Sequence, residues 1–419
     1  MVELPTLRVS LTREGDVSLE LVGTEQRETI SAVAMGLPVR VGSAADLNAA
    51  SFHRLPLHGA GGHAILDGVG DAQALLLQFG SPRGYLHLYP WEYKLADWLR
   101  VPVLRAPYLD LRPHTPGTHL RVVLCMSRSS PHAAIDPDLL EALVVAYSAI
   151  LRRFPEIHVF ADRRLPDLGP STIVHDPLRP LSRRKEIDER LTSPWLRWIA
   201  QALDGSPIDV FHVLGEGWLS GGCGTLALAS DPGTGVHPQV PRFVGVSELV
   251  DFLAMTGAWF FAVSTPPSAH SLSGLLELCD SLAQTRPGPV LLHDMKHDDD
   301  ARELSKALSM HMSEELQPGG LASVSWWGSP FSRPRSVLES ATPLLTENGE
   351  SELLSAAARA ALGHETTPTW IAAGARMLET IQAEWQAAGR LDADATRALR
   401  AVSALFDQHV RRHGPGGVR

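Results

Sequence analysis

The chain has 419 residues and a hydrophobic fraction of 44%, enough for a sizeable core in two or three domains or in one large α/β unit with an appendage. Its 37 Lys and Arg against 47 Asp and Glu leave a formal charge of −10, which argues against nucleic-acid and anionic-membrane partners. Cys125, Cys223 and Cys279 are too scattered for a disulfide framework or a zinc site, no apolar run reaches membrane-spanning length, and the start lacks signal-peptide character; the expectation is a soluble, cytoplasmic protein.

LRVSLTREGDVSLELVG (Leu7 to Gly23) alternates apolar and polar residues about Glu14-Gly15-Asp16, the pattern of a β-hairpin. From Met35 to Gly80 the periodicity is too weak to place elements. Pro90-Trp91-Glu92 follows an apolar stretch expected to be a strand and precedes the apolar passage VPVLRAPYL (Val101 to Leu109). HLRVVLCMS (His119 to Ser127) is a core strand, continuous enough in apolar residues to be covered on both faces. Leu139, Leu140, Leu143, Val144, Tyr147, Ile150 and Leu151 line one helix face, and IHVFAD (Ile157 to Asp162) is the next strand. Strand, helix and strand in this length predict a right-handed βαβ crossover in a mainly parallel sheet. The basic passage RPLSRRKEIDERL (Arg179 to Leu191) is a solvated loop running into a helix.

IDVFHV (Ile208 to Val213) reads as a strand, and the glycines of LGEGWLSGG (Leu214 to Gly222) suit a tight exposed turn. GTLALAS (Gly224 to Ser230) is a second apolar run. VSELVDFLAMTG (Val246 to Gly257) is a helix with Ser247 as its cap, and WFFAVSTPP (Trp259 to Pro267) is a strand broken by two prolines. Two polar segments, Gly215-Glu216-Gly217 and Ser264-Thr265, are thus delivered to one sheet edge, where open α/β sheets form their sites. Ser271 to Thr285 is a helix, Gly288 to Met312 reads strand, loop, helix, and LASVSWW (Leu321 to Trp327) is the last strand. From Gly349 onward only helical periods remain.

The order DVFHVLGEG, GTLALAS, VSELVDFLAMTGAWFFAVST resembles the CHAT domain, a caspase-like (clan CD) peptidase module, and Pro90-Trp91-Glu92 is similar to a motif upstream of that family's catalytic core. The resemblance runs from Tyr85 to Trp327. It implies an α/β fold, a caspase-hemoglobinase-like three-layer sandwich with a mainly parallel central sheet, plus a C-terminal α-helical appendage. The implied organisation is an N-terminal β-hairpin and α+β region over 1–118, a caspase-like core over 119–335 and a helical region over 336–419. In that family one strand ends in His-Gly and a later one in a nucleophilic Cys. Here Glu216 stands before Gly217 at the histidine position and Thr265 stands at the cysteine position, so the dyad is degenerate.

A carboxylate cannot reproduce thiolate–imidazole pairing with Thr265, whose hydroxyl would need a dedicated base. Substitutes in the same stretch are His212, Cys223, and Ser264 with His270. Each has a plainer reading: a core histidine, a small residue in a tight turn, and a serine turned away from Thr265 by strand alternation. The run His293, Asp294, His297, Asp298, Asp299, Asp300 holds metal-ligand residue types, with His293, His297 and Asp298 as the candidate set. Its simpler reading is an acidic cap on the helix through Arg302 to His311. The glycine spacing fits no phosphate loop or dinucleotide fingerprint, so no cofactor is expected. Trp218, Trp259, Trp326 and Trp327 either line a protein-binding groove or belong to the core.

The resemblance implies a pseudopeptidase that acts as a protein-binding scaffold or regulator in a bacterial conflict, defence or signalling system, with an active peptidase or another defence component as its protein partner. Two alternatives stand beside it: a diverged active peptidase using Cys223 or Ser264, and a small-molecule sensor in which Glu216 binds a cationic group.

Overall fold

The hairpin expected at the start forms β1 (Thr6–Leu11) and antiparallel β2 (Val17–Leu21), with Leu11 facing Val17 and Gly15 at φ 91° in the turn. The computed structural model describes residues 4–12, 14–32, 69–70, 72–80, 85–96, 99, 101–106, 119–127, 137–150, 154–162, 165, 168–179, 184–220, 223–233, 241–267, 269, 272–313, 319–328 and 402. The chain divides into two compact units, Met1–Pro343 and Leu344–Arg419; every element below belongs to the first, and apart from Val402, which is helical, the helices expected beyond Gly349 lie outside the described residues.

Following the hairpin come β3 (Arg27–Ile30), β4 (Leu75–Phe79), helix α1 (Trp91–Ala96) and β5 (Val103–Arg105). The strand expected just before Pro90 is instead a 3-10 turn, Leu86–Leu88. Its carbonyls are claimed by side chains: Leu86 O accepts from Trp91 Nε1, and His87 O and Tyr89 O accept from the Arg105 guanidinium. Those groups are therefore withheld from a strand ladder.

β6 (His119–Met126), α2 (Pro137–Ser148) and β7 (Phe154–Ala161) form the expected parallel unit, and β8 (Thr172–His175) extends it to one edge. Helices α3 (Lys185–Arg190) and α4 (Pro194–Leu203) lead to β9 (Val210–Leu214), β10 (Glu216–Ser220), β11 (Cys223–Ala229) and β12 (Pro241–Val244). Then come α5 (Val246–Thr256), β13 (Phe260–Thr265), α6 (Ser273–Thr285), β14 (Val290–Asp294), α7 (Arg302–Ser313) and β15 (Val324–Trp327). Helix α5 begins after Gly245, which makes no side-chain cap bond; Ser247 lies inside the first turn rather than capping it.

Among the described residues twelve strands form one sheet in the order β3-β2-β1-β4-β5-β15-β14-β13-β9-β6-β7-β8. The strands from β14 to β8 all run parallel, and the antiparallel β14–β15 pair joins them to the parallel block β15-β5-β4-β1. Consecutive residues of β13 serve opposite faces, as the strand period requires. Phe260 and Ala262 enter the core shared with α2 and α7, while Phe261 and Val263 enter the core shared with α4, α5 and α6. Helices therefore cover both faces of a large, mostly parallel sheet, an arrangement compatible with a three-layer α/β sandwich. No helix among the described residues is long and apolar enough to cross a membrane.

Candidate functional site

Parallel β9 and β13 end at the same sheet edge. Leu214 is in register with Ser264, and the Gly215 amide donates to Ser264 O at 3.0 Å. Glu216, two residues past the end of β9, and Thr265, the last residue of β13, are therefore brought to one edge. Their settings differ. Glu216 is half-buried at the start of β10, whereas Thr265 is buried, its hydroxyl 3.4 Å from both His293 O and Asp294 Oδ1. Asp294 Oδ2 in turn accepts from His297 Nδ1 at 2.8 Å.

Gly215 and Gly217, the first two glycines after β9, are not turn glycines. Gly215 and Gly217 have ordinary backbone angles, and β10 starts at once, pairing antiparallel with β11 and through it with β12. A Cβ on Gly217 would lie 2.4 Å from Leu275 Cγ, one on Gly224 2.2 Å from Gly274 O, and one on Gly274 2.5 Å from the Trp218 carbonyl carbon. The hairpin and α6 thus meet backbone to backbone, which only glycine permits. Gly221 and Gly222 lie outside the described residues.

One position before Thr265, on the opposite face of β13, runs a buried hydrogen-bonded line. Tyr147 Oη is 2.9 Å from His212 Nδ1, and His212 Nε2 is 2.8 Å from Ser264 Oγ. Ser264 Oγ is 2.9 Å from His293 Nδ1, and His293 Nε2 is 3.0 Å from Asp298 Oδ2. Burial lowers the His212 pKa to about 3, so this ring carries a single proton. Burial works against ionisation of Asp298, but bonds from His293 and from the Leu304 and Glu303 amides outweigh it and lower its pKa. One assignment then satisfies all five groups: Tyr147 donates to His212, His212 to Ser264, Ser264 to His293 and His293 to Asp298.

That line has the components of nucleophilic catalysis but not its access. Ser264 is fully buried, with its oxygen engaged by imidazoles on both sides, which leaves no approach for an electrophile. Its work in the fold is to tie β9, β13 and β14 to α2 and to the start of α7. His270, the expected partner of Ser264, lies outside the described residues. The proposed metal set is not assembled: His293 is bonded to Asp298 and Ser264, His297 is bonded to Asp294, and among the described residues no group of three ligating side chains could hold an ion. Asp298 instead accepts the Glu303 and Leu304 amides at the start of α7, as an acidic cap does.

Cys223 is exposed at the hairpin end, but part-burial of its thiol and then the Glu277 charge raise its pKa, the reverse of nucleophile activation. Sequence reasoning missed Glu277, whose carboxylate lies 2.5 Å from His87 Nε2, and Arg105. The Arg105 guanidinium is buried, bonds Glu92 through Nε at 2.6 Å and Nη2 at 3.2 Å, and lies 4.7 Å from the Trp327 ring centre. Pro90-Trp91-Glu92 is thereby fixed to the central sheet through β5 and β15. A signal was present for the buried line: His212 interrupts an otherwise apolar strand, and Ser264 and His293 are each the first polar residue near the end of an apolar one. Among the four tryptophans weighed for a groove, Trp326 and Trp327 are buried, Trp259 is half-buried, and Trp218 is exposed.

The fold and this edge define an α/β protein whose candidate site sits at the carboxyl ends of parallel strands. No family model and no curated protein matches the chain.

Proposed function

We propose that the protein is a caspase-type relative of the CHAT kind that has lost peptidase chemistry and serves as a protein-binding scaffold, regulating an active partner in a bacterial conflict or signalling system. The observation that carries this reading is the pairing of Glu216 and Thr265 at one sheet edge, linked by the Gly215 to Ser264 hydrogen bond. A half-buried carboxylate and a buried hydroxyl occupy the seats that a peptidase of this kind gives to imidazole and thiol. The hairpin that follows β9 and the helix that precedes β13 support the same alignment. The raised thiol pKa of Cys223 and the enclosure of Ser264 count against the peptidase alternatives.

The seats are tested by refilling them. T265C adds a thiolate ultraviolet absorbance over that of the unaltered chain, and adding E216H lowers its titration midpoint by at least about one pH unit. An unmoved midpoint removes the alignment. The unaltered chain leaves peptide libraries uncut and escapes thiol- and serine-directed activity probes; stoichiometric labelling of Cys223 or Ser264 overturns the inert reading.

A further inference from the structure

Trp218 on β10 and Phe243 on β12 are 54% and 42% exposed, with ring centres 6.4 Å apart and planes tilted by 42°. In the small sheet Glu216 faces Ala227, Ala227 faces Phe243, and Trp218 faces Thr225. Side chains alternate along a strand, so these five residues share one face. The other face, with Gly217, Gly224 and Leu226, is the one that meets α6 and the core. Ala227, small and buried, forms a low floor between Glu216 on β10 and Phe243 on β12, with Trp218 two residues along β10 from Glu216.

Exposed aromatic faces next to a carboxylate favour a particular chemistry. The rings attract a cation and cover an apolar stem, while the carboxylate supplies the opposing charge. We propose that this face binds an arginine or lysine side chain presented on an exposed segment of a partner protein. The proposal rests on the scaffold reading and names the chemistry of the segment recognised.

The test uses the full 419-residue chain and a fluorescein-labelled (Gly-Arg)3 peptide, followed by anisotropy at two salt concentrations. Binding saturates, and W218L, F243L and E216Q each weaken it by about three- to ten-fold. A peptide with citrulline in place of arginine does not bind. Thermal melts of W218L and F243L superimpose on that of the unaltered chain, because both rings are on the surface. Equal affinity for W218L and the unaltered chain, or no saturable binding, overturns the site. In the first case the peptide answers only to the overall charge of −10. Cleavage of the bound peptide would overturn the inert reading and leave the site standing; absence of binding by an uncleaving chain would do the opposite.

Discussion

Ser264 on β13 stands in register with His293 on β14, and its Oγ lies 2.9 Å from the imidazole Nδ1. Removing that hydroxyl orphans two buried ring nitrogens, one on His293 and one on His212. S264A is therefore expected to cost about 2 kcal/mol or more, since each buried unsatisfied polar group costs about 1–3 kcal/mol. T265V, one residue on, removes only contacts at 3.4 Å and should cost under about 1 kcal/mol. Urea unfolding of the two variants decides; equal costs would mean that the line does not form.

Acid should destabilise the fold through His212. Its folded pKa of about 3 lies below the ordinary 6.5, so the unfolded chain takes up the proton first as pH falls. Stability from this group is complete above about 6.5 and is lost toward 3, with a slope of at most about 1.4 kcal/mol per pH unit. Asp298, whose pKa is also lowered, adds a further loss below about 4. Denaturant midpoints at pH 7, 6 and 5 measure the first window, and H212Q should flatten it.

Neighbouring glycines should respond differently to a methyl group. G217A drives a Cβ to 2.4 Å from Leu275 Cγ, whereas G215A meets nothing closer than 3.6 Å. The first is expected to cost about 1–3 kcal/mol and the second under about 1 kcal/mol. Thermal melts of both variants would separate close packing from turn geometry, since a shared turn requirement would penalise the two alike.

Glu92 and Arg105 are both buried, and their bidentate contact joins the Pro-Trp-Glu segment to β5. R105M should cost about 3–5 kcal/mol, because it strands a buried carboxylate. E92Q in the same background should restore part of that loss. A double-mutant cycle measured in urea checks the coupling; additive costs would show that the pair is not joined.

Alkylation should find Cys223 a slow thiol. Its pKa is raised by burial and by the Glu277 charge, so iodoacetamide labelling near neutral pH lags behind that of a free thiol, and E277Q speeds it. Mass spectrometry after timed quenching reports the rate. Labelling faster than free cysteine would return Cys223 to the list of nucleophiles.

Much of the strand and helix order was legible because burial dictates composition. Apolar runs such as Val122 to Leu124 and Phe260 to Val263 suit strands covered on both sides, and the buried residues of α2 follow the helical period. The site was legible only in part. Glu216 and Thr265 could be brought to one edge by strand direction alone, but the partners of Ser264 come from strands distant in sequence. His293 and Asp298 carried ligand-like spacing, and nothing in that spacing distinguishes an ion from a hydrogen bond.

The sequence by itself determined most of the strand and helix succession from His119 to Trp327 and the residues at the two strand ends, because local propensity and the alternation of apolar side chains act over a few residues. Tertiary structure alone decided what the glycines are for, that Arg105 claims the carbonyls before Pro90, and that Tyr147, His212, Ser264, His293 and Asp298 share one line. These depend on which strands become neighbours and how closely a helix approaches them, and long-range packing sets both.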